Sequence, residues 1–169
     1  MSRAGILGVL LGAAGIAVGL GGACGYSTGI RVADRMGSVG VTYFGNKTLE
    51  PDVERPMQDA LTASIRSLTD LPLAAPEEAE VILRGVVLEY RRRGGIRSVD
   101  NELLETGLYI EAEAGLYDRR SDRPLGPQKR ARIWVGYVVD QTNGESDARD
   151  RAIRHVADEL VLELFTPLE

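Results

Sequence analysis

The sequence predicts an α+β fold, a two-layer sandwich in which two helices pack on one face of a mainly antiparallel four-stranded sheet. Three observations support this prediction. The elements follow one another along the chain as strand, helix, three strands and helix. Each predicted helix has a single apolar stripe, and two of the predicted strands alternate between apolar and polar residues. Such faces bury best against one another, which leaves the other face of the sheet polar and open to a partner.

The chain begins with the pattern of a secretory signal peptide over residues 1–23. Arg3 supplies the positive charge that precedes the apolar segment, and Ile6 to Leu20 is uncharged. A membrane-spanning helix needs roughly 20 consecutive apolar residues. The glycines of this segment also lower its helix propensity by up to about 1 kcal/mol each relative to alanine. We therefore expect a cleaved signal rather than a permanent anchor.

The only cysteine, Cys24, is expected to be the first residue of the mature protein and its lipid attachment point. A bacterial lipobox has a large aliphatic residue three positions before the cysteine, with small residues between them. Here Gly21 occupies that position and Leu20 lies one residue further back. Cleavage that leaves a free cysteine and a retained anchor are the two alternatives. Gly25 stands where Asp would retain a lipoprotein in the inner membrane, so the outer membrane is favoured.

Composition excludes several functional classes for the chain beyond the signal peptide. The full sequence has a net charge of −5, and loss of Arg3 with the signal makes the remainder slightly more acidic, which argues against a nucleic-acid partner. A single cysteine forms no internal disulfide, and with one histidine, His155, no catalytic triad, Cys-His pair or metal-ligand set can be assembled. We expect a protein that is not an enzyme and needs no metal or cofactor. Residues 24–37 are predicted to form a flexible tether, and residues 38–169 a single domain.

The domain is predicted to open with a strand from Val39 to Phe44, β-branched and aromatic, that is closed by a turn at Gly45-Asn46. Asn46-Lys47-Thr48 has the form of a glycosylation sequon, but turn and helix-cap chemistry suits it better after a bacterial-type signal. A helix follows with Pro51 in its first turn. Its apolar stripe, which we assign to core packing rather than to a ligand groove, consists of Val53, Met57, Leu61, Ile65 and Leu68.

A second strand is predicted from Ala79 to Tyr90, where β-branched residues are dense. It leads into a basic tip flanked by glycines. The tip arginines are Arg91, Arg92, Arg93 and Arg97. Such a cluster is either a solvated loop or an anion site, because several guanidinium groups brought together can bind phosphate groups in a bidentate manner.

Two further strands, at Thr106 to Arg119 and after Gln128, alternate regularly. Glu111 and Glu113 share the polar face of the first. On the second strand, Arg130, Arg132 and Trp134 are predicted to face outward, and Ala131, Ile133, Val135, Tyr137 and Val139 inward. If the two strands pair, the carboxylates face arginines across the ladder. This arrangement argues against the acid pair of a glycosidase, since arginines would neutralise both carboxylates.

The last predicted helix follows a polar turn at Gln141 to Asp147 and ends at Pro167. Its apolar residues are Ala148, Ala152, Ile153, Val156, Leu160, Val161 and Leu164. His155 lies on the flank of this stripe. A lone helical histidine is expected to be a surface or boundary residue rather than a ligand.

Three segments resemble the outer-membrane lipopolysaccharide-assembly lipoproteins of the LptE family. They are Cys24-Gly25-Tyr26-Ser27, the run from Val39 to Asn46 before a helix, and the run from Glu78 to Gly85 at the start of the second strand. The resemblance covers nearly all of the expected mature chain and agrees with the family's order of elements.

The resemblance implies a lipoprotein held at the periplasmic face of the outer membrane by a lipid anchor. It would plug a large β-barrel, LptD, support assembly of that barrel and contact lipopolysaccharide on its way to the outer leaflet. Arg91, Arg92, Arg93 and Arg97 would then meet lipopolysaccharide phosphates. A polar domain surface suits this role, because barrel lumens are polar. The alternative is a periplasmic adaptor lipoprotein of another envelope secretion or transport complex.

Overall fold

The computed structural model describes residue 30, residues 36–95, residue 97 and residues 99–100, 105–139 and 142–166. The expected signal peptide at 1–23 and the lipidation site at Cys24 lie outside the described residues, as does most of the tether expected at 24–37. Ile30, within the tether range, forms a parallel bridge with Thr69. Its N–H donates to the carbonyl of Leu68 at 2.7 Å.

Two helices and one sheet make up the described chain, so the predicted α+β class is confirmed. In chain order the elements are β1 (Val39–Val41), β2 (Gly45–Asn46), α1 (Glu54–Leu68), β3 (Val81–Arg93), β4 (Glu105–Asp118), β5 (Lys129–Val138) and α2 (Gly144–Phe165).

The sheet is mixed and curled rather than mainly antiparallel. Its strand order is β1-β3-β4-β5, with the short β2 also paired to β3. The long pairs β3 with β4 and β4 with β5 are antiparallel, whereas β1 and β2 run parallel to β3. The reason lies in the connection, because α1 carries the chain back between β1 and β3, and such a crossover joins parallel strands.

The first predicted strand is interrupted, and the turn predicted at Gly45-Asn46 is wrong. These two residues form β2, which pairs with Val86 and Val87 of β3. Before them, the fully buried ring of Phe44 lies over Gly85, where an added Cβ would come within 2.2 Å of the ring. The turn follows instead, since the Asn46 side chain accepts the N–H of Thr48 at 2.8 Å.

Helix α1 begins three residues later than Pro51 because Asp52 adopts a left-handed backbone conformation, with φ of 57°. The predicted core stripe is confirmed. Its buried members are Val53, Met57, Leu61 and Ile65, and Leu68 packs partly buried against them. The two helices are also joined by a hydrogen bond of 2.6 Å from the Ser64 hydroxyl to the Asp158 carboxylate.

Helix α2 begins at Gly144, inside the predicted polar turn, after Asn143 has reversed the chain with φ of 67°. It packs on β4 and β5, and α1 packs beside it. Most of its predicted apolar residues are buried, whereas Leu164 is only partly buried. His155 is exposed, as expected.

Strands β4 and β5 pair in the predicted manner. Glu111 is opposite Arg132, and Glu113 is opposite Arg130. The apolar residues of both strands lie in one core cluster with α1 and α2. The prediction that Val139 faces inward is wrong, because β5 ends at Val138 and the Val139 side chain is 45% exposed.

Candidate functional site on the outer face of the sheet

The face of the sheet that lies away from α1 and α2 is called the outer face here. It is formed by the residues that alternate with the core residues of β3, β4 and β5. Its charged and aromatic members are Arg84, Glu89, Arg91, Arg93, Tyr109, Glu111, Glu113, Tyr117, Arg130, Arg132 and Trp134. No helix of the described chain covers them, so this face is available to a ligand or partner.

A bulge in β3 decides which arginines reach the outer face. Strands β3 and β4 pair residue by residue as far as Val87 with Ala112, and pairing resumes at Glu89 with Glu111, so Leu88 is an extra residue. One extra residue exchanges the two faces for everything that follows it. Arg91 and Arg93 therefore lie on the outer face, and Arg92 lies on the helix side.

The basic tip predicted as a glycine-flanked loop is thus part of β3, and its arginines are divided between two faces. Arg92 forms ion pairs with Glu145 of α2 at 2.6 Å and with Glu50, in the loop before α1, at 3.2 Å. The hydrogen bond to Glu145 raises the pKa of Arg92 above its ordinary value. Arg92 thereby fastens the sheet to α2 and to the loop, and the structure does not bring it together with Arg91 and Arg93.

Arg91 and Arg93 lie against aromatic rings. The Arg91 guanidinium is 5.1 Å from the ring centre of Tyr109. Arg93 is 5.9 Å from the ring centres of both Tyr109 and Trp134. Arg91 also pairs with Glu89. Cation–π contacts of this kind hold guanidinium groups in place while their outward N–H donors stay in solvent.

Trp134 is the exposed aromatic centre of this cluster, with 45% of its surface accessible. Its ring lies against Gly107 on the neighbouring strand, where an added Cβ would come within 1.9 Å of it. The alternation of the sequence placed Trp134 on the outer face but did not connect it with the arginines. The sequence did contain an indication, because the single tryptophan lies on a polar strand face and therefore cannot be a core residue.

Two acidic residues of the outer face, Glu111 and Glu113, are paired with the same arginine. Arg130 pairs with Glu111 at 3.3 Å and with Glu113 at 2.8 Å. The hydrogen bond to Glu113 raises the pKa of Arg130. Glu111 also accepts the Tyr109 hydroxyl at 2.8 Å, which raises the pKa of Tyr109. Neither carboxylate is arranged as a general acid.

Arg97, the remaining predicted arginine, is exposed beyond the end of β3. Among the described residues, no three histidine, cysteine, aspartate or glutamate side chains are grouped as metal ligands would be. Neither helix of the described chain has the length and apolarity needed to cross a membrane. What the outer face offers is a pair of positioned guanidinium groups beside two aromatic rings, which suits a phosphate-bearing amphiphile.

Comparison with known proteins adds a family and a fold. A family model described as LptE, lipopolysaccharide-assembly, matches residues 36–166. A protein of the DUF330 family from Xanthomonas campestris superposes with a TM-score of 0.58 at 13% identity, covering 73% of this chain and 81% of that one. The PelC dodecamer from Paraburkholderia phytofirmans gives 0.51 at 15% identity, covering 82% and 91%. At these identities the two structures share the fold alone. No curated protein sequence matches the chain.

Proposed function

Because the chain belongs to the LptE family of lipopolysaccharide-assembly proteins, we propose that it is a lipid-anchored plug of the LptD barrel that helps to deliver lipopolysaccharide to the outer leaflet. Family membership gives it a non-enzymatic role in lipopolysaccharide assembly with LptD. The observation that carries the finer proposal is the uncovered outer face, with its arginines and aromatic rings.

The outer face suits contact with the barrel lumen. Its charges are largely paired along the strands, as in the contacts of Arg130 with Glu111 and Glu113 and the 2.6 Å ion pair of Arg84 with Asp122. A surface of paired charges and aromatic rings is compatible with a polar, hydrated lumen. It also leaves few unsatisfied charges to desolvate when the lumen wall closes over it.

Lipopolysaccharide contact is proposed for Arg91 and Arg93 rather than for all of the predicted arginines equally. Both guanidinium groups lie on the outer face with Tyr109 and Trp134, so phosphates and the apolar parts of a lipid headgroup would find partners side by side. Arg97, exposed beyond the end of β3, is the remaining arginine of the proposed contact. Arg92 contributes indirectly by holding the strand that carries its neighbours.

The binding test compares three variants for lipopolysaccharide binding at low and high salt. Replacing Arg91 and Arg93 by Ala together should weaken binding at least about tenfold, with a smaller salt dependence than wild type. Arg84→Ala is the matched control, because Arg84 stacks on Tyr117 at 5.0 Å on the same face but near the opposite end. Arg92→Ala should weaken binding less than the double replacement, because Arg92 acts only through the strand that it holds. Equal losses in all three variants would contradict the proposed contact.

The anchor proposal concerns Cys24. Acyl chains there would bind the membrane durably, at about 0.8 kcal/mol for each buried methylene. Cys24→Ala should release the protein from washed membranes and remove the lipid mass from the intact protein. If wild type and variant show the same membrane association and the same lipid-free mass, the lipoprotein proposal is wrong.

The partner proposal is tested by affinity purification from detergent-solubilised outer membrane. One heat-modifiable barrel should come down in equal amount with the tagged protein. Recovery of a different envelope complex without that barrel would instead favour an adaptor function.

A further inference from the structure

Trp134 presents a flat ring face to solvent on the outer face of the sheet. A Cβ built on Gly107 would be 1.9 Å from Cζ2 of the indole and 2.3 and 2.5 Å from the two ring atoms bonded to it, Cε2 and Cη2. An atom that approached the edge of the ring at the same distance would be farther from both neighbours. The indole therefore lies flat over the backbone of Gly107, and its opposite face points away from the sheet, in agreement with the 45% exposure of the residue.

Bare backbone lies beside this ring. On the outer face, Gly136 of β5 is opposite Gly107 of β4. Gly136 is exposed, whereas Gly107 is buried under the indole. Among the described residues, a Cβ at Gly136 would meet only the carbonyl oxygen of Thr106, at 3.8 Å. The outer face thus has an open space next to Trp134, at a position where other parts of the strand carry a side chain.

Two guanidinium groups lie on the other side of the ring. Arg93 is opposite Gly107 in the ladder between β3 and β4, and its guanidinium group is 5.9 Å from the centre of the Trp134 ring. Arg91 lies on the same face of β3 and is 5.1 Å from the ring centre of Tyr109. Strands β3 and β5 are two strand spacings apart, about 10 Å. A nonpolar ring face and several N–H donors are therefore within one small ligand's length of each other.

The open space also adjoins the free edge of the sheet. Strand β5 pairs with β4 on one side, and no segment of the described chain pairs with its other side. The outward backbone N–H and C=O groups of β5 therefore need partners that both donate and accept hydrogen bonds. Water supplies such partners, and so do the hydroxyl groups of a sugar.

Three kinds of chemical group on lipopolysaccharide can be compared at this surface. A phosphate needs guanidinium groups but gains nothing from an indole face, whose quadrupole is negative. An acyl chain needs a concave site that excludes water, whereas Trp134 lies on an open strand face. A pyranose ring has a face of C–H bonds that complements the negative face of an aromatic ring. Its hydroxyl groups can also bond to guanidinium and backbone groups.

We propose that Trp134 and the open space over Gly136 bind a pyranose ring of the saccharide part of lipopolysaccharide, while Arg91 and Arg93 bind phosphate groups of the same molecule. The sugar stacks on the free face of the indole, and its hydroxyl groups replace water at the backbone of β5. This inference rests on the proposed function, because its ligand is lipopolysaccharide. It divides that ligand between an aromatic surface for the sugar and a guanidinium surface for the phosphates.

The aromatic surface can be changed while both arginines stay in place. Gly136→Ala adds one methyl group to the open space, and the 3.8 Å distance to Thr106 is ordinary van der Waals contact, so the fold should be kept. Trp134→Leu removes the ring, and Trp134→Tyr keeps a smaller one. Gly126→Ala is the matched control, because its Cβ meets nothing within 4 Å and it lies in the loop between β4 and β5.

The test titrates the full chain in detergent with two soluble probes by isothermal calorimetry. The first probe is the core oligosaccharide of lipopolysaccharide, released from lipid by mild acid and then dephosphorylated. The second is inorganic pyrophosphate, which has no sugar ring.

Trp134→Leu should weaken oligosaccharide binding about three- to tenfold, as expected for the loss of one aromatic stack. Gly136→Ala should weaken it at least about threefold, and Trp134→Tyr should retain most of it. All three variants should bind pyrophosphate within about twofold of wild type. Replacing Arg91 and Arg93 together by Ala should weaken pyrophosphate binding more than oligosaccharide binding.

Three outcomes would overturn the saccharide site. The oligosaccharide could fail to bind wild type although intact lipopolysaccharide binds, Gly136→Ala and Trp134→Leu could bind it as well as Gly126→Ala does, or only the arginine replacement could weaken it. In each case, binding of intact lipopolysaccharide by wild type leaves the proposed function standing. If wild type binds neither ligand, the proposed function fails as well.

The emission of the single tryptophan provides a second measurement. The oligosaccharide should shift the emission of Trp134 saturably in wild type and in Gly126→Ala, because stacking replaces water on the exposed ring face. An unchanged emission spectrum at a saturating concentration of oligosaccharide would contradict stacking on the indole.

Discussion

The indole ring of Trp134 lies directly against the backbone of Gly107 on the adjacent strand. A Cβ at Gly107 would be 1.9 Å from the ring carbon Cζ2 and 2.3 Å from Cε2, which is too close for atoms that are not bonded to each other. The ring thus fills the space that the missing side chain leaves on the outer face. This diagonal contact across β4 and β5 holds the exposed tryptophan at a fixed angle beside Arg93.

Gly107→Ala should displace the ring and destabilise the fold by about 1–3 kcal/mol, because overpacking forces side chains from their rotamers. Urea unfolding measures the loss, and the emission of the single tryptophan reports the displacement in the folded state. Gly126→Ala is the control, since a Cβ there meets no atom within 4 Å. Equal stability and emission in the two variants would contradict the packing described.

Tyr90→Phe should stabilise the protein by about 1 kcal/mol at neutral pH. The Tyr90 hydroxyl is buried and has no hydrogen-bond partner among the described residues, and a buried hydroxyl without a partner carries a desolvation penalty. Tyr137→Phe is the matched control and should destabilise by about 0.5–1 kcal/mol, because the Tyr137 hydroxyl donates to Glu145 at 3.1 Å. Thermal unfolding should give shifts of opposite sign, and a loss in both variants would refute the Tyr90 prediction.

Stability should also decline in alkali. Burial, with help from Glu50, raises the pKa of Tyr90, and burial and Glu145 raise that of Tyr137. An unfolded tyrosine loses its proton near pH 10, so above that pH the unfolded state holds fewer protons than the folded state and stability falls until the folded pKa is reached. Tyr90→Phe should make this decline shallower in urea unfolding from pH 8 to 11. An unchanged slope would mean that Tyr90 does not cause it.

Arg130→Ala should cost more stability than Arg132→Ala, although both arginines face a glutamate across the ladder. Arg130 contacts Glu111 and Glu113 together, whereas no ion pair of Arg132 within 4.0 Å is found among the described residues. We expect a difference in the free energy of unfolding at low salt that shrinks at high salt, because the pairs are partly exposed and screened. Paired urea titrations at two salt concentrations measure it, and a difference that grows with salt would be inconsistent with an ionic origin.

Gly85→Ala should be among the most damaging single substitutions in the sheet. Its Cβ would come within 2.2 Å of the Phe44 ring and 2.5 Å of the carbonyl oxygen of Glu113, so neither neighbour gives way easily. We expect a loss of about 2–3 kcal/mol, at the upper end for overpacking. Gly94→Ala, which meets nothing within 4 Å, is the control. Calorimetry of both variants measures the difference in melting temperature. A melting temperature for Gly85→Ala within about one degree of the control would contradict the contact.

The sequence predicted the parts of the fold that depend on strict periodicity. The alternation of β4 and β5 fixed which face is buried, and the opposition of Glu111 and Glu113 to Arg132 and Arg130 followed from it. The apolar spacing of α1 likewise identified Met57, Leu61 and Ile65 as core. Where each residue's environment repeats every second or every fourth position, local pattern and tertiary packing agree.

The rest depended on long-range contacts that no local pattern reports. Gly45-Asn46 has the composition of a turn, yet it pairs with Val86 and Val87 because Phe44 is buried over Gly85. Asp52 and Asn143 precede α1 and α2 in left-handed backbone conformations, which the sequence suggests only weakly. Most of the error at the arginine tip came from Leu88, since an extra residue in a strand has no distinctive sequence signature.

The extra residue Leu88 determines how many arginines face outward at the end of β3. In a β3 without Leu88, every later residue would point to the opposite face of the sheet. Arg92 alone would then face outward, and Arg91 and Arg93 would face α2. On that side, Glu50 and Glu145 offer partners for only one guanidinium group. Loss of one codon would thus halve the outward charge of the arginine triplet and bury a surplus cation. The composition would be almost unchanged, yet the outer face at the end of β3 would carry one guanidinium group of the triplet instead of two.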